Sequence, residues 1–509
     1  MSHLPVLAVL VPLVTGALVL LAGRRGLALQ RLLSWLGLAA LLLVAGLLVV
    51  AADQGPVLVY LLGDWPARLG IALMADRLGA LMVMTTALLA VPCLLYAGSG
   101  WDRRALHFHA LFQLQLAGLN GAFLTGDLFN LFVFFEVLLI ASYGLLLSGG
   151  RGPRMRAGLH YVVFNITAST LFLIALGLLY GLLGTLNMAE MALRVASAEP
   201  GDLPLIRAAS GILLVVFCAK AALLPLYLWL PETYARAPAA VAAMFTIMTK
   251  VGIYAVLRVY ALLFGETAGP LAGWAWDWLL WTGAASLALA TLGALAAASL
   301  RALAAYLVVA SAATLFIAFA LAQPGTVAAG LYYLPHSTFA TAALFLLIDL
   351  VRRRRGTAQD RLQRLAPLSQ RALLGALFMV AAVLVSGLPP LSGFIGKFLL
   401  MAAVPEGAAT GWLWGLLLVT SLMVIVALAR AGSQVFWRAE PVAGPASAAP
   451  PHRLQLTAIG VLLAYGVAMT VFADPMLRYA RAAAEQVLDP AAYIDQVRAT
   501  APGLRAPSP

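Results

Sequence analysis

Charge is what this sequence has least of: Asp, Glu, Lys and Arg make up 10% of its 509 residues, against roughly a quarter in an ordinary soluble domain. With 63% hydrophobic residues and a mean hydropathy of +0.97, the chain carries more apolar surface than a globule of its length can bury. Even about 300 residues leave roughly a quarter of the unfolded surface in water. A soluble enzyme is excluded, and lipid is the solvent that fits. Cysteine is nearly absent: Cys93 and Cys218 both lie in apolar runs, which rules out a disulfide framework and a thiolate metal cluster. The few acids offer no carboxylate cage for a metal, and there is no glycine-rich nucleotide loop or pair of haem ligands, so neither metal nor cofactor is expected. The net charge of +12 would point to nucleic acid only if the basic residues gathered on a polar face. They punctuate apolar segments instead, and read as topology signals.

What the chain does have is long apolar runs. A bilayer crossing takes about 20 mostly apolar residues, and fourteen spans fit, at 4–22, 31–52, 74–97, 107–125, 128–148, 158–185, 207–229, 238–263, 271–297, 302–322, 325–350, 372–402, 410–435 and 454–477. The first is too long for a signal h-region and has no small-residue cleavage site, so it is kept as a span. Numbered from the N-terminus, the odd loops carry 19 arginines, from Arg24 and Arg25 through the run at 352–355 to Arg438 and Arg453; the even loops hold only Arg68, Arg194 and Arg207. Cytoplasmic loops accumulate basic residues, so the odd loops are expected inside a bacterial plasma membrane and both termini outside. Residues 478–509 read as a polar extracytoplasmic tail with one surface helix.

Of the 32 basic residues only three are lysine, and Lys220, Lys250 and Lys397 each sit inside an apolar span. A composition this rich in arginine uses lysine only where arginine does not serve. The physical difference is that arginine stays protonated, whereas a buried lysine can release its proton near neutral pH. Three lysines in lipid are therefore a candidate proton wire. The bland alternative is that each snorkels to an interface or pairs with a carboxylate as structural glue. Glu136 lies about nine residues into its span, some 13 Å deep at 1.5 Å per residue. Ionised and alone there it would cost several kcal/mol, so it needs a cationic partner or a neutral state, and Lys220 is the partner expected. His336 either relays protons or serves as a structural hydrogen-bonder. Asp349, followed by four arginines, reads as a helix end with a solvated ion pair; Asp76 and Asp127 read as interfacial.

Two lysines adjoin prolines. Lys220 precedes Pro225 and Pro231, and Lys397 follows Pro389 and Pro390. Proline inside a helix removes a backbone bond and clashes with the preceding turn, and in lipid the freed groups must face protein or water. Paired interruptions in two halves of a chain point to inverted repeats. An all-α integral membrane protein is expected, with about fourteen helices, two of them discontinuous. Its divisions are an N-terminal three-helix unit over 1–98, five-helix repeats over 107–263 and 271–435, and a last helix over 454–477 before the tail.

At these residues the chain resembles the antiporter-like membrane subunits shared by respiratory complex I, membrane-bound hydrogenases and Mrp-type (Pha-type) multisubunit cation/proton antiporters. The segments that carry the likeness are Phe-Glu-Val at 135–137, Lys220 through Pro238, Lys250, His336 with Leu344-Phe345, and Gly387 through Lys397 with its Pro-Pro-x-x-Gly-Phe-x-x-Lys run. Gly63 through Asp76 and Gly118 through Asn130 are most similar to the D-type branch of the Mrp antiporter subunits. The resemblance implies a fold of fourteen helices with two inverted repeats, and the activity of a subunit exchanging Na⁺ or K⁺ for protons beside other hydrophobic subunits. It also implies roles: Glu136 and Lys220 a coupled pair, Lys250 the central relay, Lys397 the far gate. Complex I subunits carry histidine at the positions of Tyr227 and Tyr234 and lysine at that of Ala340, so a central path here would run through His336, bound water or Lys250. The other assignments open to this sequence are the proton-pumping arm of complex I or a hydrogenase, and a purely structural scaffold that tolerates change at Glu136 and the lysines.

Overall fold

A computed structural model describes residues 3–66, 70–150, 152–363, 370–437 and 452–500. Arg68, Arg151, Arg364, Arg438 and residues 501–509 of the expected tail lie outside the described residues. The chain opens with α1 (Leu4–Leu21) and α2 (Leu27–Gln54), then a short ribbon of β1 (Leu58–Leu61) and antiparallel β2 (Ala72–Ala75). Next come α3 (Arg77–Gly98), α4 (Phe108–Leu124), α5 (Leu128–Leu147), α6 (Pro153–Leu183) and the short α7 (Met188–Ala196). The first interrupted region comprises α8 (Leu203–Ala221), α9 (Trp229–Arg236), α10 (Ala239–Phe245) and α11 (Met248–Leu263). Then follow α12 (Trp276–Ala296), α13 (Leu300–Ala320), α14 (Pro324–Arg354), α15 (Arg371–Ser386), α16 (Ser392–Ala403), α17 (Ala408–Gly432) and α18 (Arg453–Val471). Two helices, α19 (Ala473–Leu488) and α20 (Ala491–Thr500), close the described chain.

Twelve helices or bent helix pairs among the described residues are long and apolar enough to cross a bilayer. The 17-residue α4 and the broken pair α15–α16 supply the two remaining crossings expected from the hydropathy. The chain is a multi-pass membrane protein. Helix starts follow local chemistry: Asp76 and Asp127 accept from Gly79 and Asn130 backbone N–H groups, capping α3 and α5, and Pro153 and Pro324 open α6 and α14, where a missing N–H costs nothing. The apolar stretches of the α10–α11 pair and of α14 are wholly enclosed, whereas α1, α6 and α17 turn most of their apolar surface outward, as lipid-facing helices do.

Four expectations change. The hairpin β1–β2 adds a small extended element to an otherwise helical chain. The span at 238–263 is not continuous: it breaks at Thr246-Ile247, just before Lys250. No proline or glycine marks this break; it holds because Tyr234 Oη donates to Phe245 O at 2.7 Å and Thr246 Oγ1 donates to Ala243 O at 2.7 Å. The C-terminal segment is not one surface helix. Ala480, Ala483, Ala484 and Val487 of α19 form a buried stripe at helical spacing packed on α14, α3 and α11, and Tyr493, Ile494 and Val497 of α20 are buried too. Finally, Asp349 and Asp76 are buried, not solvated. Asp349 accepts from Tyr96 Oη at 2.8 Å besides pairing with Arg352 and Arg353, and Asp76 pairs with Arg258 at 2.6 Å. The hydropathy of their own spans gives no sign of either partner packed across the bundle.

Candidate functional site

The two proline-marked breaks are built alike. Helix α8 ends at Lys220-Ala221, where Ala222 takes a left-handed φ of 60°, a conformation a Cβ makes costly by roughly 1–2 kcal/mol. Helix α15 ends at Gly387, whose φ of 77° needs glycine. Pro225, and Pro389 with Pro390, follow, and the Leu224–Pro225 and Pro389–Pro390 bonds are cis. The freed backbone groups find protein partners, as they must inside a bilayer. Leu224 N donates to Ser286 Oγ at 2.8 Å, Trp229 Nε1 to Ala219 O at 3.1 Å, and Lys397 Nζ to Ser386 O at 2.9 Å.

Lys220 does not touch Glu136 directly, as the expected ion pair would. Ser169 of α6 stands between them: its hydroxyl donates to Glu136 Oε1 and accepts from Lys220 Nζ at 3.3 Å. The ammonium also lies 5.0 Å from the centre of the Phe135 ring, a cation–π contact. Lys220 is buried and Glu136 only half-buried on the outward side of α5. Lys250, fully enclosed, donates to Ser311 Oγ of α13 at 3.1 Å. Ser311 lines a small cavity shared with His336, Ser337, Thr341, Lys397 and Ser421. At about 30 Å³ it has room for roughly two waters, and Ala340 forms part of its wall, so the small side chain there leaves polar space. His336 Nδ1 bonds Ser392 Oγ at 2.9 Å, and Lys397 Nζ donates to Ser421 Oγ at 3.1 Å. Lys397, like Glu136, is half-buried.

The expected residues thus fall into two groups. Glu136 and Lys220, bridged by Ser169, form one; His336 and Lys397 on the small cavity, with Lys250 reaching it through Ser311, form the other. Among the described residues no hydrogen bond joins Lys220 to Lys250, although α8 and α11 pack closely enough that a Cβ on Gly252 would meet Ala221 N at 2.7 Å. Lysines hydrogen-bonded to serine hydroxyls within the bundle are groups that can hold and hand on protons, since a serine hydroxyl both donates and accepts.

A family model described as NADH:quinone oxidoreductase/Mrp antiporter, transmembrane, matches residues 125–425, the stretch that contains both groups. The chain belongs to this family. Among relatives, the D subunit of a probable K(+)/H(+) antiporter of Rhizobium meliloti (strain 1021) is 39% identical over 98% of each chain. The D subunit of the Na(+)/H(+) antiporter of Bacillus subtilis (strain 168) is 36% identical over 98% of this chain and 99% of its own. A chain of the Mrp complex from Dietzia sp. DQ12-45-1b superposes with a TM-score of 0.86 at 28% identity, covering 97% of this chain and 99% of that one. A chain of respiratory complex I from Thermus thermophilus gives 0.79 at 27%, covering 96% and 99%.

Within this family fold, sequence reading missed Ser169, Ser311, Ser392 and Ser421. Hydroxyls in membrane helices commonly bond their own preceding turn, as Thr85 and Thr86 do here, so nothing local marks the four that reach lysine, glutamate or histidine. It also missed Arg258, although a charged residue inside a span is a signal in its own right. Arg258 forms a separate ion pair, Nη2 on Asp76 Oδ1, with the Tyr254 and Tyr493 rings 5.5 and 5.3 Å from the guanidinium.

Proposed function

We propose that the chain is a subunit of a multisubunit monovalent cation/proton antiporter, exchanging Na⁺ or K⁺ for protons, with Glu136, Lys220, Lys250, His336 and Lys397 carrying the proton. The observation that carries this reading is that all three lysines hydrogen-bond to serine hydroxyls within the helix bundle. The relatives named as D subunits of antiporters, matched along essentially their whole length, support it.

In this reading Glu136, Ser169 and Lys220 switch between an ion pair and a neutral pair. Ser169 donates its hydroxyl proton to the carboxylate as it takes one from the ammonium, so a single transfer neutralises both ends without moving a heavy atom far. Protons then reach Lys250, and from it Ser311 and the cavity lead to Lys397, with His336 at its wall. Moving one charge through 100 mV involves about 2.3 kcal/mol, and a two-unit change in a lysine's proton affinity is worth roughly 2.7 kcal/mol, so one such switch matches the membrane field. The half-buried acid at one flank and half-buried lysine at the other favour neighbouring membrane subunits there, because an acid facing lipid is costly.

The orientation follows from the basic loops, with both termini outside. That both ends lie on one side is supported by His3 packing on Tyr60 of β1 at 5.5 Å while α20 also packs on β1; which side that is rests on the basic loops alone. The division into five-helix units at 107–263 and 271–435 belongs to the same reading, supported by the like-built breaks beside Lys220 and Lys397.

Two measurements test this. In everted vesicles containing the complete complex, added K⁺ or Na⁺ is expected to dissipate a respiratory pH gradient, and the purified complex to lack flavin and iron–sulfur absorption. Copurifying iron–sulfur and hydrogen- or nucleotide-oxidising subunits would instead make the chain a pump arm of a redox enzyme. In the same vesicles Ser169→Ala is expected to slow exchange by about tenfold or more, the scale of a lost proton-transfer partner, while Ser169→Thr, which keeps the hydroxyl, retains most of it. Equal rates for alanine and threonine would remove Ser169 from the path.

A further inference from the structure

At the end of the bundle opposite the β1–β2 ribbon, on which His3 and α20 pack, lies a second cavity that the proton path does not use. It is about 230 Å³ in volume and is walled by α3, α6, α10, α13 and α14 and the loop after α3. Five of its lining residues are arginines: Arg104, Arg154, Arg301, Arg352 and Arg353. One carboxylate, Asp349, faces them, and Arg352, Arg353 and Tyr96 already converge on it. Arg301 is held from behind by Asp360, which lies outside the cavity lining, at 2.9 Å. Arg154 donates to two backbone carbonyls, Arg236 O at 3.0 Å and Ser148 O at 3.3 Å, and lies over the Trp101 ring. Among the described residues the guanidinium of Arg104 has no hydrogen-bond or ion-pair partner, while its backbone N–H donates to Trp101 O at 2.9 Å.

Arginine does not give up its proton in proteins, so this crowding of positive charge cannot relieve itself by titration as a lysine cluster could. The small side chains of Ala237, Ala239, Ala240 and Ala242 leave the centre open. We propose that this cavity binds a phosphate group, either the headgroup of an anionic lipid or free phosphate, held by the guanidinium fork of Arg104 and by the N–H groups that Arg154 and Arg353 do not give to Arg236 O, Ser148 O and Asp349. Several guanidinium groups converging on one space match the oxygens of a phosphate better than those of a single carboxylate. The cavity lies at helix ends, the depth at which basic pockets between membrane helices meet lipid headgroups. The same charge repels Na⁺ and K⁺ from this mouth of the bundle.

The test uses the complete complex in phosphatidylcholine nanodiscs, with the R104Q/R353Q variant as comparison; Arg352 still pairs with Asp349 in it. Two probes are read: radiolabelled inorganic phosphate at constant ionic strength, and phosphatidylglycerol retained through delipidation, by native mass spectrometry. The wild type is expected to hold one of them, with the double variant binding at least about tenfold more weakly, on the scale of lost charge-assisted contacts. Retained phosphatidylglycerol that about 10 mM phosphate does not displace identifies a headgroup site, and displacement identifies a free-phosphate site. Should the double variant fail to assemble, R104Q alone, changing an exposed unbonded side chain, is expected to weaken binding measurably. Wild-type complex that binds neither probe above phosphatidylcholine background, or variants that bind as tightly as wild type, would overturn the proposal.

Discussion

Lys250→Arg is expected to cut ion exchange by about a hundredfold or more, from the lower end of the range for losing a proton-transferring side chain upward, with the protein still inserted and assembled. Lys250 has no solvent exposure, and its Nζ reaches Ser311 Oγ, which in turn donates to Val308 O at 2.8 Å. Arginine keeps the charge but loses two properties at once. It cannot release a proton, and its planar fork does not fit a slot that holds one ammonium against one hydroxyl. Lys220→Arg is expected to behave the same way, since Lys220 is enclosed between Ser169 and the Phe135 ring. Lys250→Ala and Lys220→Ala separate the two causes: if fit alone mattered, alanine would transport better than arginine. Vesicle assays with expression matched by immunoblot read the difference, and near-wild-type exchange in either arginine variant would end the case for titrating lysines.

Asp76→Asn is expected to cost about 3–5 kcal/mol of stability, the usual penalty for stranding one member of a buried ion pair. Arg258 and Asp76 are both almost wholly buried. Arg258 also donates from Nε to Tyr254 Oη at 3.3 Å, and Tyr254 Oη donates to Phe123 O at 2.7 Å. Removing the carboxylate charge leaves a guanidinium facing two tyrosine rings and the end of α3. Arg258→Leu should cost a similar amount for the opposite reason, an uncompensated carboxylate. The double variant Asp76→Asn/Arg258→Leu is expected to cost clearly less than the two singles summed, because neither charge is then stranded. Thermal unfolding of the purified complex followed by loss of the monodisperse peak measures all three. Strict additivity would mean that the pair is not coupled, and single-variant losses below about 1 kcal/mol would mean that water reaches it.

Much of the fold is legible in the residues alone. Each crossing needs its own apolar run, so span positions are written locally, and only the break before Lys250 escapes, since hydrogen bonds from Tyr234 Oη to Phe245 O and from Thr246 Oγ1 across to Thr338 O hold it. The charged site residues are legible because a charge in lipid is conspicuous. The serines are not: a hydroxyl is cheap in a membrane helix and hides among others that bond only their own turn. The tail is misjudged because its polar composition masks an apolar stripe of alanines on α19.

The sequence by itself determined that this is a multi-pass membrane protein, where its crossings fall, where two helices break, and that three lysines and one glutamate lie at depth. Each of those follows from a short window, because hydropathy, proline and burial cost act over one or two turns. Only the tertiary structure decided who meets whom. Ser169 joins Glu136 from 33 residues away, Ser311 meets Lys250 from 61, and Asp76 meets Arg258 from 182. Such meetings depend on the order in which helices pack side by side, and in lipid that order is set by close packing and hydrogen bonds between helices, not by the apolar pattern that every span shares.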